Sequence, residues 1–169
     1  MKEIIKIRPL NLSDKSELAN LANNKKIWDN LRDYIPYPYN ENDANNFIKL
    51  TEQESPKQNF GIEYNGKLCG VIGLIVQKDV YRKSAEIGYW IGEPYWGKGI
   101  ATKAVELITD YGFNTLDLKR IYTGVFEYNI ASMKVLEKNG FEKEGILKKA
   151  VLKNEIFFDE HRYYKLNDK

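Results

Sequence analysis

A strand, a glycine turn, a helix and a second strand follow one another in the middle of the chain. RKSAEIGYWIG (82–92) alternates as a strand does, and the residues after YWGKGIATKA have helical periodicity to about residue 113. KRIYTGVFEY (119–128) is strand-like again. A unit of this kind closes as a right-handed crossover between parallel strands. It is the strongest constraint on the fold, because it fixes one parallel pair inside whatever sheet the chain forms.

The flanking segments are predicted from their periodicity and turn residues. Asn65-Gly66 stands between two apolar runs, which is typical of a type I′ hairpin. The predicted flanking elements are a strand at 4–10, a helix at 13–26, a loop at 33–40, a helix at 41–54, a hairpin at 59–76, a helix at 129–140 and strands at 141–153 and 156–166. This order predicts an α/β fold, a single domain over residues 1–169, with a mixed, mostly antiparallel sheet and flanking helices.

Composition argues against several classes of function. The 26 basic and 24 acidic residues give a net charge of +2, so we expect no nucleic-acid partner. With Cys69 and His161 as the single cysteine and histidine, we also expect no disulfide within the chain and no metal site. The longest apolar run, at 69–76, is too short to span a bilayer, and the first residues are too polar for a signal peptide. We therefore expect a reduced, cytoplasmic protein with no membrane partner.

The glycine turn predicts an anion site. Glycine near a helix start costs about 1 kcal/mol relative to alanine, so Gly97 and Gly99 suggest that a ligand approaches the backbone closely. Helix N-termini carry unpaired N–H donors and a partial positive charge. The spacing of a Walker loop is absent, and Thr102 replaces the third glycine of a dinucleotide fingerprint. A nucleotide site is therefore less favoured than a pyrophosphate loop of the coenzyme A type.

Two adjoining stretches carry a family resemblance. AEIGYWIGEPYWGKGIATKAVELITDYGF, followed by KRIYTGVFEYNIASMKVLEKNGFEKEG, resembles the GNAT N-acetyltransferase superfamily and, within it, the RimJ/RimL branch of ribosomal-protein N-terminal acetyltransferases. The resemblance covers nearly the whole chain. It implies a GNAT fold in which the strand before the glycine turn splays from its central parallel neighbour.

The same resemblance implies acetyl-CoA as co-substrate, with its pyrophosphate on the glycine turn and its pantetheine arm in the splay. The cofactor-binding residues that it implies are Tyr89, Trp90, Ile91, Gly92, Trp96, Gly97, Lys98, Gly99, Ile100, Ala101, Thr102, Asn129 and Ser132. Trp96 departs from the Arg or Gln that opens the family's phosphate motif. The backbone cradle that follows is intact.

Acyl transfer to an amine needs a base for the ammonium, donors for the developing oxyanion and an acid for the leaving thiolate. Alternation places Glu86 on the strand face of Gly88 and Trp90, and Glu86 matches the general-base glutamate of the histone-acetylating branch. Ser132 matches a serine proposed to protonate the thiolate in the RimL-like branch, whereas the tyrosine that many relatives use is replaced by Leu136. Each residue also has a structural explanation, as a carboxylate bonded across the sheet and as a serine at a helix start.

An acceptor pocket is implied beside these residues. Trp28, Tyr34 and Tyr37, together with Glu86, correspond to the family's acceptor wall, where aromatic rings hold amines by cation–π contact; core packing is the competing explanation. The predicted function is acetyl transfer from acetyl-CoA to a primary amine, of a protein N-terminus or a small molecule, by direct attack in a ternary complex. The alternative is a catalytically silent coenzyme A-binding sensor or interaction domain. The acceptor's identity and a homodimeric state are left open.

Overall fold

A computed structural model of the chain describes residues 4–168. The single domain expected over 1–169 therefore extends beyond the described residues at both ends. The strands are β1 (Ile5–Arg8), β2 (Asn59–Tyr64), β3 (Lys67–Val76), β4 (Ser84–Ile91), β5 (Arg120–Phe126), β6 (Glu142–Lys153) and β7 (Ile156–Leu166). The α-helices are α1 (Lys15–Ala22), α2 (Lys25–Trp28), α3 (Glu41–Glu52), α4 (Ile100–Asn114) and α5 (Ile130–Lys138). None of the helices in 4–168 has both the length and the apolar character needed to cross a bilayer.

The strands form one seven-stranded sheet in the order β1-β2-β3-β4-β5-β7-β6. Every neighbouring pair is antiparallel except β4 and β5, which run parallel. This confirms the predicted mixed, mostly antiparallel sheet with its central parallel pair. The β2–β3 turn is also confirmed, because Asn65 and Gly66 both have positive φ, at 49° and 84°.

The helix predicted over 13–26 is wrong as a single element. α1 ends at Ala22, and the chain leaves helical geometry at Asn23 and Asn24 before α2 begins. The Asn24 side chain accepts a hydrogen bond from the Lys26 N–H at 2.9 Å and so caps α2. Asparagine side chains compete with the helical backbone for hydrogen bonds, which explains the break at this pair.

The helices cover the two faces of the sheet unequally. α4 and α5 pack on one face, where Ile72 of β3 and Ile87 of β4 belong to the main hydrophobic core. α1 and α3 pack on the other face, against the neighbouring residues Val71 and Trp90. Successive side chains of a strand point to opposite faces, so β3 and β4 each contribute side chains to both helical layers.

The parallel pair splays soon after it starts. β4 and β5 are paired only from Ser84, opposite Arg120, to Glu86, opposite Tyr122. Beyond that point β4 remains paired with β3, and β5 with β7. The second half of β4 therefore faces a gap in the middle of the sheet, as the resemblance implied.

Candidate active site

A cavity of about 510 Å³ lies at the splay between β4 and β5. Its floor contains β4 residues from Glu86 to Trp90 and β5 residues from Thr123 to Phe126. Its walls come from both helical layers, since Phe47 of α3 and Ser132 of α5 both line it. The cavity thus connects the two faces of the sheet through the gap where the parallel strands separate.

Glu86 lies on the cavity floor with 14% of its side chain exposed. Its carboxylate accepts a hydrogen bond from the guanidinium of Arg32, whose side chain is 48% exposed. Arg32 belongs to the segment between α2 and α3, which passes over the cavity. Desolvation lowers the pKa of Arg32, but the hydrogen bond and charge of Glu86 outweigh it, and the pKa is raised.

Ser132 lies in the first turn of α5, on the other side of the gap. Its Oγ is 2.8 Å from the hydroxyl of Tyr89, which projects from β4 toward α5. Asn129 caps α5, because its side chain accepts a hydrogen bond from the Ser132 N–H at 3.2 Å. All three residues line the cavity. Burial raises the pKa of Tyr89 to about 12, so its hydroxyl keeps its proton at neutral pH.

The glycine turn joins β4 to α4. Gly97 and Gly99 have φ of +74° and +72°, and a Cβ at either position would meet open space. The first hydrogen bond at the helix start runs from the Lys103 N–H to the Gly99 carbonyl, at 3.1 Å. The N–H groups of Ile100, Ala101 and Thr102 therefore precede the hydrogen-bonded ladder of α4. This arrangement suits a pyrophosphate, since bare backbone and unpaired donors face the same open space.

The other predicted cofactor residues divide into two groups. Tyr89 and Trp90 line the cavity, whereas Ile91 and Gly92 do not. The Ile91 carbonyl accepts from Trp96 Nε1 at 2.7 Å, and the Gly92 N–H donates to the Cys69 carbonyl at 2.8 Å. Trp96 thus ties the turn back to the end of β4, in place of the side chain that usually opens the family's motif.

Lys98 is turned toward two aromatic rings at the same end of the sheet. Its Nζ lies 5.6 Å from the ring centroids of both Tyr64 and Tyr95. This contact holds the ammonium beside the glycine turn, within the electrostatic reach of an anion bound there.

The predicted aromatic wall is present in part. Trp28 and Tyr34 line the cavity, while Tyr37 stacks behind Trp28 with ring centroids 5.5 Å apart. Tyr39, from the same predicted aromatic segment, also lines the cavity, and so does Phe47, which was not among the predicted acceptor residues. In the sequence, Phe47 is one apolar position of an amphipathic helix, so the local pattern does not distinguish it from a residue of the hydrophobic core.

Two basic residues in or beside the site were not predicted from the sequence. Arg32 stands within LRDYIPYPYN, where it is the single basic side chain of an aromatic segment, and that was the signal available. Lys153, at the end of β6, is only 2% exposed and had no such signal. Its Nζ donates to the Leu31 carbonyl at 2.9 Å and to Asp33 at 2.6 Å, and lies 3.3 Å from the centroid of the Trp28 ring. Lys153 therefore anchors the segment that carries Arg32.

Metal ligation has no evident place in this arrangement. Within residues 4–168, no three His, Cys, Asp or Glu side chains are grouped so that they could share an ion. The catalytic candidates are one carboxylate, one serine hydroxyl and one tyrosine hydroxyl around the cavity, whereas the residues of the glycine turn do not line it.

Comparison with known proteins agrees with this geometry. Residues 5–142 match the family model of the acetyltransferase (GNAT) domain. The chain belongs to the GNAT acetyltransferase family. It is 33% identical to the probable N-acetyltransferase YjcK of Bacillus subtilis, over 92% of this chain and 90% of that protein. It is 31% identical to spermidine N(1)-acetyltransferase of Escherichia coli, over 81% of this chain and 72% of that protein.

Solved GNAT structures share the fold over almost all of the chain. Spermidine N-acetyltransferase from Vibrio cholerae, in complex with CoA and spermine, superposes with a TM-score of 0.83 at 27% identity, covering 98% of this chain and 96% of that one. RimL and RimJ structures share the fold at 22% identity. Membership of the GNAT family makes the chain an acetyl-CoA-dependent N-acetyltransferase, with coenzyme A as the carrier of the acetyl group.

Proposed function

We propose that this GNAT enzyme acetylates a primary amine by direct attack on acetyl-CoA in a ternary complex, within one domain. The observation that carries the proposal is that a single cavity receives Glu86 from one face of the sheet and Ser132 from the other. A base for the amine and an acid for the thiolate are needed on opposite sides of the thioester, and these two side chains match that requirement.

The proposed steps follow the order in which charge develops. Glu86, directly or through water, takes a proton from the acceptor's ammonium, and the freed lone pair attacks the thioester carbonyl carbon. The carbonyl oxygen becomes an oxyanion, for which we propose backbone N–H groups in the splayed half of β4 as donors. When the carbon–sulfur bond breaks, the thiolate receives the proton of Ser132, and the second proton of the amine restores the Ser132 hydroxyl. The proton held by Glu86 then passes to solvent, so one proton is released per turnover. No covalent enzyme intermediate is required.

The wall of the cavity supports a cationic acceptor. Aromatic rings from Tyr34, Tyr39 and Phe47 line the cavity around a floor that holds Glu86, with Asp43 on the wall. Rings and carboxylates are the groups that attract an ammonium. Relatives whose names state an acceptor include a spermidine acetyltransferase, so polyamines are the first candidates. Protein N-terminal amines are the second.

The test is release of free thiol from acetyl-CoA against a panel of amines. The panel contains spermidine, spermine, lysine peptides and peptides that begin with Ala, Ser or Met. We expect strong release with one class. In Glu86→Gln and Ser132→Ala we expect kcat to fall by about tenfold or more while the coenzyme A affinity, measured by calorimetry, is unchanged.

Two results would count against the proposal. Normal turnover in both variants would remove Glu86 and Ser132 from the chemistry. A covalent acetyl-enzyme, detected by mass spectrometry after mixing with acetyl-CoA alone, would replace direct attack by a two-step transfer.

A further inference from the structure

The carboxylate proposed to receive the acceptor's proton is already engaged. Glu86 accepts a hydrogen bond from Arg32, and both side chains line the cavity. The guanidinium bonds to Oε1 of Glu86, so an ammonium that approaches either oxygen of this carboxylate comes close to a second cation. Two cations at one small carboxylate repel each other, more strongly where solvent is excluded. Binding of a cationic acceptor at Glu86 therefore requires Arg32 to move.

The backbone on both sides of Arg32 is held in place. Lys153 binds the Leu31 carbonyl and the Asp33 carboxylate, and it packs on the ring of Trp28. Nearby, Asn154 donates to Asp29 at 3.0 Å. Because the segment is fixed from the β6–β7 end, displacement of Arg32 is a rotation of its half-exposed side chain and not an opening of the segment.

A second carboxylate lies within electrostatic reach of Arg32. Glu160 contributes to raising the pKa of Arg32, although less than Glu86 does. It is 13% exposed and lies against the bare backbone of Gly124, which itself lines the cavity. It accepts a hydrogen bond from Arg162 at 2.8 Å, and a carboxylate has lone pairs for more than one donor. The charge of Glu160 therefore acts on Arg32 in addition to the charge of Glu86.

From this arrangement we infer that Arg32 occupies on Glu86 the place of the acceptor's ammonium, and that the acceptor binds by displacing it. Arg32 is thus a specificity-determining residue. A cationic primary amine can take the place of the guanidinium on Glu86, whereas a neutral or anionic molecule cannot. The inference rests on the proposed function, because it assumes that the acceptor amine meets Glu86.

The test measures amine binding separately from turnover. Binding of n-butylamine and of spermidine is followed by calorimetry in the presence of coenzyme A, for the wild type, Arg32→Gln and Arg32→Lys. We expect Arg32→Gln to bind both amines about two- to fivefold more tightly, as loss of a partly exposed ion pair allows. Arg32→Lys, which retains a cation, should stay close to the wild type. n-Butanol, which has the shape of the monoamine without its charge, should show no gain.

A matched control separates this effect from general loss of surface charge. Lys26 forms an exposed ion pair with Glu93, and neither residue lines the cavity. Lys26→Gln should leave amine binding unchanged. Equal or weaker amine binding by Arg32→Gln would overturn the inference, and so would absence of amine binding in every variant. Tighter binding by Arg32→Gln without acetylation of any amine would uphold the displacement and overturn the proposed function instead.

Discussion

At the scale of single residues, the site depends on a hydroxyl pair that crosses from β4 to α5. Leu136 replaces the tyrosine that many GNAT relatives use, yet a tyrosine hydroxyl still reaches the site, because Tyr89 lies 2.8 Å from Ser132 Oγ. Burial raises the pKa of Tyr89 to about 12, so this hydroxyl orients Ser132 as a neutral partner. We therefore propose that Tyr89 is a positioning residue that acts through Ser132.

Tyr89→Phe should lower kcat by about tenfold without changing the coenzyme A affinity, because the ring stays in place while Ser132 loses the group that orients it. Combined with Ser132→Ala it should add little further loss, which steady-state kinetics of the double variant would measure. Tyr111→Phe is the matched control. The Tyr111 hydroxyl donates a hydrogen bond to the backbone carbonyl of Lys57 and lies outside the cavity. Full additivity of Tyr89→Phe and Ser132→Ala would contradict the role.

At the scale of secondary-structure elements, the turn between β4 and α4 shapes the expected phosphate site. The helix starts without a side-chain cap, from a glycine in left-handed geometry. Its first N–H groups are therefore left to an external acceptor. Trp96 fastens the turn to the carbonyl of Ile91, so the turn is positioned before any ligand arrives.

Gly99→Val should weaken acetyl-CoA binding by about tenfold, or about 1.4 kcal/mol, because its side chain would fill the open space in front of the helix start. Positive φ strains valine as well, by about 1–3 kcal/mol, so stability must be separated from binding. Gly66→Val supplies the control, since Gly66 also has positive φ and open space, at φ +84° in the β2–β3 turn. Calorimetry and thermal unfolding of both variants decide: equal coenzyme A affinity in the two would remove the turn from the binding site.

At the scale of the whole molecule, two partly buried ionic groups join separate elements of the fold. Lys153 connects the end of β6 to the segment before α3. Arg8 of β1 connects to Glu63 of β2 at 2.7 Å and to Asp14 at 2.8 Å. Each group links elements that the local sequence pattern does not join, and each is shielded enough for its loss to be costly.

Lys153→Met should raise the acceptor KM severalfold, because Leu31 and Asp33 lose their partner and the segment that carries Trp28 and Arg32 is no longer fixed. The coenzyme A affinity should stay within about twofold, since the glycine turn lies at another edge of the site. Limited proteolysis gives a second readout, with faster cleavage expected within residues 29–36. Lys148→Met, which removes a largely exposed partner of Asp159, is the control. Parallel loss of acceptor and coenzyme A binding would indicate general unfolding instead.

The Arg8 group should make stability depend on pH in the acid range. Desolvation raises the pKa of Asp14, but hydrogen bonds from Arg8 and Asn11 outweigh it, and the pKa is lowered. Hydrogen bonds from Lys6 and Arg8 lower the pKa of Glu63. A carboxylate with a depressed pKa stabilises the fold above its unfolded-state pKa and loses that contribution as pH falls through its folded-state pKa.

Denaturant unfolding should therefore show the free energy of unfolding falling between about pH 5 and pH 3. Arg8→Met should lose about 2 kcal/mol at pH 7 and show a shallower fall over that range. Lys83→Met, which removes the partner of the exposed Asp117, should leave the profile unchanged. A wild-type slope in Arg8→Met would show that other groups control acid unfolding.

Local pattern was sufficient for much of the fold. The period of apolar residues located the strands and most of the helices, and Asn65-Gly66 located the hairpin. The strand–helix–strand order predicted that β4 and β5 are parallel. Alternation along β4 correctly separated Glu86 and Trp90 from Ile87 and Tyr89. These features follow from interactions within one element or between neighbours in sequence, so a single sequence contains them.

The sequence by itself thus determined the sheet, its parallel pair, the glycine turn and the strand face of Glu86. Only the tertiary structure decided which charges and hydroxyls meet. Arg32 reaches Glu86 across 54 residues, Tyr89 reaches Ser132 across 43, and Lys153 reaches Asp33 across 120. Such pairs depend on the path of irregular segments and on the splay of two strands. The periodicity of the sequence does not predict these pairs, because long-range packing brings the two residues together and their spacing along the chain does not.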